Sequence, residues 1–276
     1  MLAAQILSEI KSRTAKLSAK PRLDIIFAGD DQASAAYISQ KQQAGTEADI
    51  VVNVHKFPQI DLADLNLLIQ QLNADAAVNA IIVQLPLPDQ ELYKALSTID
   101  PAKDVDGLNA LSLGRLWNDA QTQMHPATPA AIIAALDYVA AAINGENFYE
   151  GRNALIINRS LIIGKPLAAI LLSRNCTVTL AHSKTRDLTG LISAADIVIT
   201  GTGNRELIKP GIVKDGCVLI DAAFNKIEGR IYGDIDGELF KDKNVWLSPV
   251  PGGIGPLGVA MLLKNTLEAA EAQNTL

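Results

Sequence analysis

The chain has 276 residues, of which 49% are apolar, enough for the cores of two modest lobes or one large α/β unit. Its net charge of −6 disfavours nucleic acid and anionic membranes as partners, because both attract clustered lysines and arginines. No apolar run approaches the ~20 residues that span a bilayer, and the N-terminal segment alternates charged and apolar residues at helical spacing, unlike a signal peptide. We therefore expect a soluble, cytoplasmic protein.

Residue types that form disulfides or bind metals are few and scattered. Cys176 and Cys217 both lie in apolar, strand-like runs, which predicts buried free thiols in a reducing compartment. His55, His125 and His182 show no ligand spacing, so we expect no metal site.

In chain order, short apolar runs alternate with helical patterns. Strands are predicted at 23–27, 50–54, 80–85, 154–157, 177–180, 197–200 and 218–221. Continuous apolar strands separated by helices are typical of parallel βαβ units that are covered on both faces. The predicted fold class is therefore α/β.

The middle of the chain contains the predicted boundary between two lobes. Thr128 and Pro129 suit the start of a helix that runs through Ala140, and the polar stretch 144–153 follows it. We place a first lobe at 1–125 and a second, Rossmann-like lobe at 126–256. Helical apolar spacing is found again from Leu257 to Ala272.

The segment PVPGGIGP, residues 249–256, combines three prolines with three glycines just before this last helix. Proline fixes φ and glycine permits φ values that other residues avoid, so the backbone path is rigid and unusual. A glycine-rich turn before a helix presents free backbone N–H groups to a ligand. An ordinary strand-to-helix turn is the alternative, and three other segments weigh against it.

Four strings occur in an order typical of one enzyme family: ASAAYISQK (33–41), VQLPLP (83–88), KDVDG (103–107) and PVPGGIGP. With them the chain resembles the bifunctional methylenetetrahydrofolate dehydrogenase/cyclohydrolase family from about residue 22 to residue 266. The resemblance implies a three-layer α/β folate lobe, completed by the helix at 257–273, and a parallel-sheet NADP lobe with a cleft between them. It also implies a homodimer formed through the nucleotide lobe.

Tyr37 and Lys41 are four residues apart in a helix-compatible segment, so both side chains lie on one helix face. A YxxxK pair also occurs in short-chain dehydrogenases, but there it follows the nucleotide-binding half, whereas here it precedes the candidate loop by more than 100 residues. A partly desolvated lysine can shuttle a proton near neutral pH. The resemblance implies that Lys41 is catalytic, that Tyr37 packs against folate and that Gln84 hydrogen-bonds Lys41.

Asp106 has two interpretations, of which the first is a turn-capping aspartate before Gly107. The second, implied by the resemblance and favoured here, is a catalytic-site carboxylate that accepts hydrogen bonds from the pterin amino group. Asp104 is expected to be structural. The resemblance further implies substrate contacts from seven residues: Val83, Leu85, Pro251, Gly252, Gly253, Ile254 and Gly255.

The second lobe has no GxGxxG sequence, but the strand at 154–157 leads into NRSLIIGKP, residues 158–166. Asn158 replaces the glycine that the family has, and asparagine tolerates positive φ, so the turn is expected to be kept. In NAD-binding folds of this kind, an acidic residue at the end of the second strand binds the 2′-hydroxyl of the cofactor ribose. No acidic residue ends the strand before Ser183, so the sequence favours NADP over NAD. The resemblance implies cofactor contacts from Asn158, Arg159, Ser160, Ser183 and Phe224.

The resemblance predicts an enzyme that acts on tetrahydrofolate derivatives. It would oxidise 5,10-methylenetetrahydrofolate with NADP⁺ and hydrolyse the methenyl product to 10-formyltetrahydrofolate, in one-carbon metabolism that serves purine, histidine and methionine biosynthesis. Two alternatives stay open, a cyclohydrolase-only member and a non-catalytic folate-binding paralogue. The cyclohydrolase-only alternative rests on departures from the family pattern at Asn158 and Ala223, and further departures occur at Ser248, Gly258 and Gln43.

Overall fold

The computed structural model describes residues 2–118, 124–205, 207–227 and 229–274. Its helices are α1 (Leu2–Thr14), α2 (Gln32–Glu47), α3 (Leu62–Ala74), α4 (Ala110–Trp117), α5 (Ala127–Ala142), α6 (Gly164–Ser173), α7 (Leu188–Ala194) and α8 (Ile254–Gln273). Its strands are β1 (Arg22–Ala28), β2 (Val51–Phe57), β3 (Ala80–Val83), β4 (Asn153–Ile157), β5 (Thr177–Ala181), β6 (Ile197–Thr200), β7 (Val218–Asp221), β8 (Asn225–Ile227), β9 (Arg230–Tyr232) and β10 (Trp246–Leu247). The seven predicted strands are confirmed as β1 to β7.

The chain forms two compact units. One consists of Met1–Ala127 together with Val259–Leu276, and the other of Thr128–Gly258. The assignment of folate binding to 1–125 with 257–273, and of NADP binding to 126–256, concerns function and stays a prediction.

The first unit contains a three-stranded parallel sheet in the order β2-β1-β3. Alternate residues of β1, such as Leu23 and Ile25, are buried in a core that includes Leu263 and Leu267 of α8. Side chains of a strand point alternately to opposite faces, so one face of the sheet meets this core. The helix predicted at the C-terminus therefore contributes to the core of the first unit.

Two strands of this sheet differ in length from their predicted ranges. β2 continues to Phe57, because this edge strand carries polar, half-exposed residues such as His55 that give no continuous apolar signal. β3 ends at Val83 rather than Leu85, since Pro86 lacks the N–H that a further ladder bond needs.

The second unit contains a five-stranded parallel sheet in the order β10-β7-β6-β4-β5. Counted from β4, this is the doubly wound order 2-1-3-4-5, whose direction of winding reverses between β4 and β6. Ile157 pairs with both Ala181 and Thr200, and Thr200 pairs with Asp221, so the carboxyl ends of four strands are aligned. Ligands of such sheets bind outside these ends.

The two long helices α5 and α8 extend beyond their predicted bounds. α5 begins at Ala127 and ends at Ala142, and α8 begins at Ile254, three residues before the predicted Leu257. The sequence did not predict the β8–β9 hairpin or β10, because strands of three and two residues are too short to show periodicity.

Cys176 and Cys217 are buried free thiols, as predicted, and burial raises the pKa of the Cys217 thiol to about 11. Among the described helices none has the length and apolar character required to cross a membrane.

Candidate active site

Lys41 lies on the inner face of α2, in the first unit. The N-terminus of α2 is capped by Asp31, whose carboxylate accepts a hydrogen bond from the Ser34 N–H at 2.6 Å. Lys41 is only 7% exposed, and its Nζ lies 5.3 Å from the centre of the Tyr37 ring. The predicted pair therefore shares one helix face, with the ammonium group against the aromatic ring.

Gln84 holds the Lys41 ammonium group from the neighbouring sheet. The Lys41 Nζ donates a hydrogen bond to the Gln84 Oε1 at 2.8 Å. The backbone N–H of Gln84 is bonded to the Ile26 carbonyl, and its Nε2 donates to the Leu85 carbonyl, both at 2.8 Å. These two bonds orient the amide so that its oxygen faces Lys41. On either side of Gln84, Val83 is buried and Leu85 is half-buried.

Asp106 is half-buried in the loop after the isolated bridge between Ile81 and Asp104. The backbone N–H of Ala127 lies near its carboxylate and lowers the pKa of Asp106. Asp104 caps the turn instead, since its carboxylate accepts from the N–H groups of Leu108 at 3.1 Å and Asn109 at 2.8 Å. The predicted structural character of Asp104 is confirmed.

Burial and charge shift the titration of this cluster in a consistent way. Burial lowers the pKa of Lys41, and the negative charge of Asp106 opposes that shift. Burial raises the pKa of Asp106, and the positive charge of Lys41 opposes it in turn. Burial and the Asp106 charge together raise the pKa of Tyr37 to about 12, so the phenol stays protonated. Burial therefore moves the pKa values of both Lys41 and Asp106 toward neutral pH, as proton transfer requires.

In the second unit, Asn158 follows β4 at the reversal point of the sheet. Its Nδ2 donates to the Gly201 carbonyl beyond β6 at 2.8 Å. Its Oδ1 accepts from the N–H groups of Ser160 at 2.8 Å and Gly164 at 3.2 Å. The expected turn is kept, but Asn158 is not among the described non-glycine residues with positive φ, so the turn does not use the left-handed backbone that the sequence argument invoked. The side chain is accommodated because its amide joins the loops after two strands.

The loop after β4 is compact because a glycine permits it to fold back. A Cβ atom at Gly164 would lie 2.1 Å from the carbonyl oxygen of Asn158. The Ser160 hydroxyl accepts a hydrogen bond from the Ile163 N–H at 3.1 Å, which closes the turn before α6. Asn158 and Ser160 therefore shape the loop, whereas the Arg159 side chain between them is exposed.

Truncating Asn158 tests whether this loop supports cofactor binding. Asn158→Ala removes the amide that joins the loop to Gly201, so we expect the KM values for NADP⁺ and NAD⁺ to rise together, by about 10-fold. In the enzyme that the resemblance implies, steady-state dehydrogenase kinetics with each cofactor measure this, and the cyclohydrolase rate provides the internal control. A rise for NADP⁺ alone would show that Asn158 contacts the 2′-phosphate instead.

The remaining predicted cofactor residues lie at the same edge of the sheet. Ser183 is exposed in a turn after β5 that is closed by a 2.8 Å bond from the Thr185 N–H to the His182 carbonyl. β5 pairs with β4, so Arg159 and Ser183 follow neighbouring strands. Phe224 is half exposed after β7, two positions from β4 in the sheet.

Two buried carboxylates in this unit were not predicted. The Oδ2 atom of Asp234 accepts from the hydroxyls of Thr200 at 2.7 Å and Thr202 at 2.8 Å, and from the Thr202 N–H at 2.7 Å. Asp221 accepts from the N–H groups of Ile235 at 2.7 Å and Ala223 at 3.0 Å, and burial raises its pKa. Asp234 thereby stabilises the loop after β6, and Asp221 stabilises the loop after β7.

The same packing explains one glycine and two departures from the family pattern. A Cβ at Gly233 would lie 2.1 Å from the Asp221 Oδ2, so this position favours glycine. In the sequence, this glycine directly precedes the buried Asp234 in the string GDID. Ala223 is not at positive φ, so its methyl group is tolerated. The Ser248 hydroxyl accepts from the Asp221 N–H at 2.8 Å, a bond that threonine would also make.

The PVPGGIGP segment forms a tight turn into α8. Gly252 has φ of +101°, and a Cβ at Gly253 would lie 2.3 Å from the Pro249 carbonyl oxygen. Pro251, Gly252 and Gly255 are exposed, whereas Ile254 is buried. The turn therefore needs glycine for its backbone path and exposes most of the residues predicted to contact substrate.

Metal ligation has no candidate in the part of the chain that the structure describes, where no three His, Cys, Asp or Glu side chains converge.

The doubly wound sheet with polar residues at its reversal point, together with a first unit that buries a lysine, defines a two-unit α/β protein of the nucleotide-binding class. Residues 1–106 match the family model for the tetrahydrofolate dehydrogenase/cyclohydrolase catalytic domain, and residues 126–274 match that for the family's NAD(P)-binding domain. The chain belongs to the tetrahydrofolate dehydrogenase/cyclohydrolase family, which confirms the predicted resemblance.

Individual relatives agree over nearly the full length. The chain is 41% identical over 266 residues to the bifunctional protein FolD of Caldanaerobacter subterraneus, covering 96% of this chain and 92% of the relative. The crystal structure of bifunctional FolD from Campylobacter jejuni has a TM-score of 0.91 at 35% identity and covers 100% of this chain and 97% of that chain. The Trypanosoma brucei enzyme complexed with NADP cofactor and inhibitor has a TM-score of 0.90 at 29% identity, covering 99% and 96%. The predicted α/β fold class is confirmed.

Proposed function

We propose that this chain oxidises 5,10-methylenetetrahydrofolate to the 5,10-methenyl cation with NADP⁺ and then hydrolyses that cation to 10-formyltetrahydrofolate. The observation that carries the proposal is the buried Lys41 ammonium group, hydrogen-bonded to Gln84 and within the electrostatic reach of Asp106. Residues 1–125 with 257–273 would bind folate, and residues 126–256 would bind the cofactor.

The hydrolytic step requires a group that takes up and returns a proton. Water adds to the methenyl carbon while Lys41 in its neutral form accepts one proton from that water, which gives a neutral tetrahedral intermediate with a hydroxyl group. The Lys41 ammonium then returns that proton to N5 as the bond from carbon to N5 breaks, and the hydroxyl proton leaves to solvent as the formyl C=O forms. Burial supports this chemistry because it makes the Lys41 proton easier to lose. Gln84 would hold the amine in line, and Asp106 would orient the pterin through its amino group.

The oxidative step needs little acid–base catalysis from the protein. NADP⁺ supplies the hydride acceptor when it is bound, and alignment of the two reactants accounts for most of the rate. The donor set after β4 and β5 fits a phosphorylated ribose, because the guanidinium of Arg159 and the hydroxyl of Ser183 are exposed on neighbouring loops. Tyr37 would pack against the folate ring.

The Asp106 charge gives a pH prediction for the hydrolytic step. Asp106 raises the pKa of Lys41, so Asp106→Asn should lower that pKa and move the rising limb of the cyclohydrolase kcat profile to lower pH. The measurement is kcat against pH at saturating methenyl substrate. As a control, Glu47→Gln removes an exposed carboxylate from α2, the helix that carries Lys41, and should leave the pH profile unchanged. A shift to higher pH would contradict the proposed base.

A paired assay tests the function as a whole. Reduction of NADP⁺ in the presence of 5,10-methylenetetrahydrofolate reports the dehydrogenase, and loss of methenyl absorbance reports the cyclohydrolase. Activity in both is expected. Loss of absorbance without NADP⁺ reduction would identify a cyclohydrolase-only member, and tight folate binding with neither activity would identify a non-catalytic paralogue.

The family resemblance also supports a cytoplasmic homodimer whose 10-formyl product serves purine, histidine and methionine biosynthesis. In the second unit, Leu172 on α6 and Leu180 on the edge strand β5 are exposed apolar side chains that a partner copy would cover. A monomer mass in light scattering at micromolar concentration would contradict the dimer.

A further inference from the structure

Asn265 is a buried amide on α8 within the first unit. It is 3% exposed, and its Nδ2 donates hydrogen bonds to the carbonyl oxygens of Val105 and His125, both at 2.8 Å. An amide oxygen in that place would face two carbonyl oxygens, so the nitrogen must point toward them. Each of the two N–H groups therefore has its own acceptor.

The two acceptors lie in the segments that enclose Asp106. Val105 directly precedes Asp106, and His125 directly precedes Pro126 in the neighbouring segment. The segments also contact each other, since a Cβ at Gly107 would lie 2.8 Å from the Pro126 Cγ. Asn265 thus ties the loop that carries Asp106 to the neighbouring segment that contains His125 and Pro126.

We propose that Asn265 is a positioning residue that sets the Asp106 carboxylate for the folate pterin. The proposal rests on the function assigned above to Asp106. Displacements of about 1 Å in a positioning group can cost on the order of 10²-fold in rate, and a loop without a continuous strand or helix needs such external ties. An amide from a helix supplies them because α8 itself is held in the core by Leu263 and Leu267.

The neighbouring residue provides a matched control. Thr266 is fully buried, but its hydroxyl donates to the Leu262 carbonyl within the same helix, at 2.9 Å. Thr266→Val removes one buried hydrogen bond from α8 and leaves the tie to the Asp106 loop intact. Asn265→Ala removes the tie, and Asn265→Ser is a milder variant whose short hydroxyl cannot reach both carbonyls.

The experiment is a double-mutant cycle on the full chain, with KM for 5,10-methylenetetrahydrofolate as the readout. We expect Asn265→Ala to raise this KM by about 10-fold and Asn265→Ser to raise it less. In the Asp106→Asn background, each of the two Asn265 substitutions should change the KM by less than about 2-fold. An effect that Asn265 exerts through the Asp106 carboxylate is already absent when that carboxylate has been removed. Thr266→Val should leave it unchanged, and the KM for NADP⁺ should stay constant throughout.

Three outcomes would overturn the proposal. Equal effects of Asn265→Ser in both backgrounds would show that Asn265 acts independently of Asp106. A lower melting temperature with unchanged folate KM in the Asn265 variants would assign Asn265 a purely structural part. An unchanged KM in Asp106→Asn alone would remove Asp106 as a substrate contact, and Asn265 as its positioning residue with it, while the wild-type activities would still test the overall function separately.

Discussion

Lys41→Met should lower cyclohydrolase activity by about 10² to 10⁴, the loss typical of removing a general acid–base group. Methionine keeps roughly the length of the side chain and removes the titratable amine. The dehydrogenase should retain a substantial fraction of its activity, because hydride transfer needs alignment of folate and NADP⁺ rather than proton transfer. Both activities are measured on the same preparation, so their ratio reports Lys41 directly.

A second buried lysine serves as the control for that substitution. Lys103 is 8% exposed, and its Nζ donates to the carbonyls of Leu72 at 3.0 Å, Asn73 at 2.7 Å and Asp75 at 2.8 Å. Its bonds are to the end of a helix, so Lys103→Met should lower the melting temperature and leave the ratio of the two activities unchanged. If Lys41→Met reduced both activities equally at unchanged folate affinity, Lys41 would serve both steps.

Arg159→Gln should raise the KM for NADP⁺ by about 10- to 100-fold, the range for losing a hydrogen bond to a charged group. The KM for NAD⁺ should change far less, because NAD⁺ lacks the 2′-phosphate that the exposed guanidinium would bind. Arg230→Gln, at an exposed arginine on β9 of the same unit, is the matched control and should affect neither value. An equal rise for both cofactors would show that Arg159 does not recognise the phosphate.

Local patterns in the sequence predicted the elements and the motif positions. The apolar runs of β1, β3, β4, β6 and β7 are buried almost continuously, and each leaves a local apolar signal that needs no knowledge of its neighbours. The spacing of Tyr37 and Lys41 likewise placed both side chains on one helix face, which the geometry of α2 bears out. The sequence predicted parallel sheets but not their strand order, because order depends on pairing between distant segments.

Tertiary structure alone decided how Asn158 is accommodated. Sequence reasoning treated it as a backbone problem, to be solved by positive φ, whereas its amide bonds to Gly201, 43 residues away, and to Gly164. No local pattern indicates that partner, since β4 and β6 become neighbours only when the sheet forms.

The same holds for the groups that surround the reactive side chains. Gln84 reaches Lys41 across 43 residues, and Asn265 reaches Val105 across 160. A buried amide looks like any polar helix residue in the sequence, because hydrogen-bond partners depend on which segments pack together. Periodicity therefore determined which residues form helices and strands, and packing determined which of their polar groups meet.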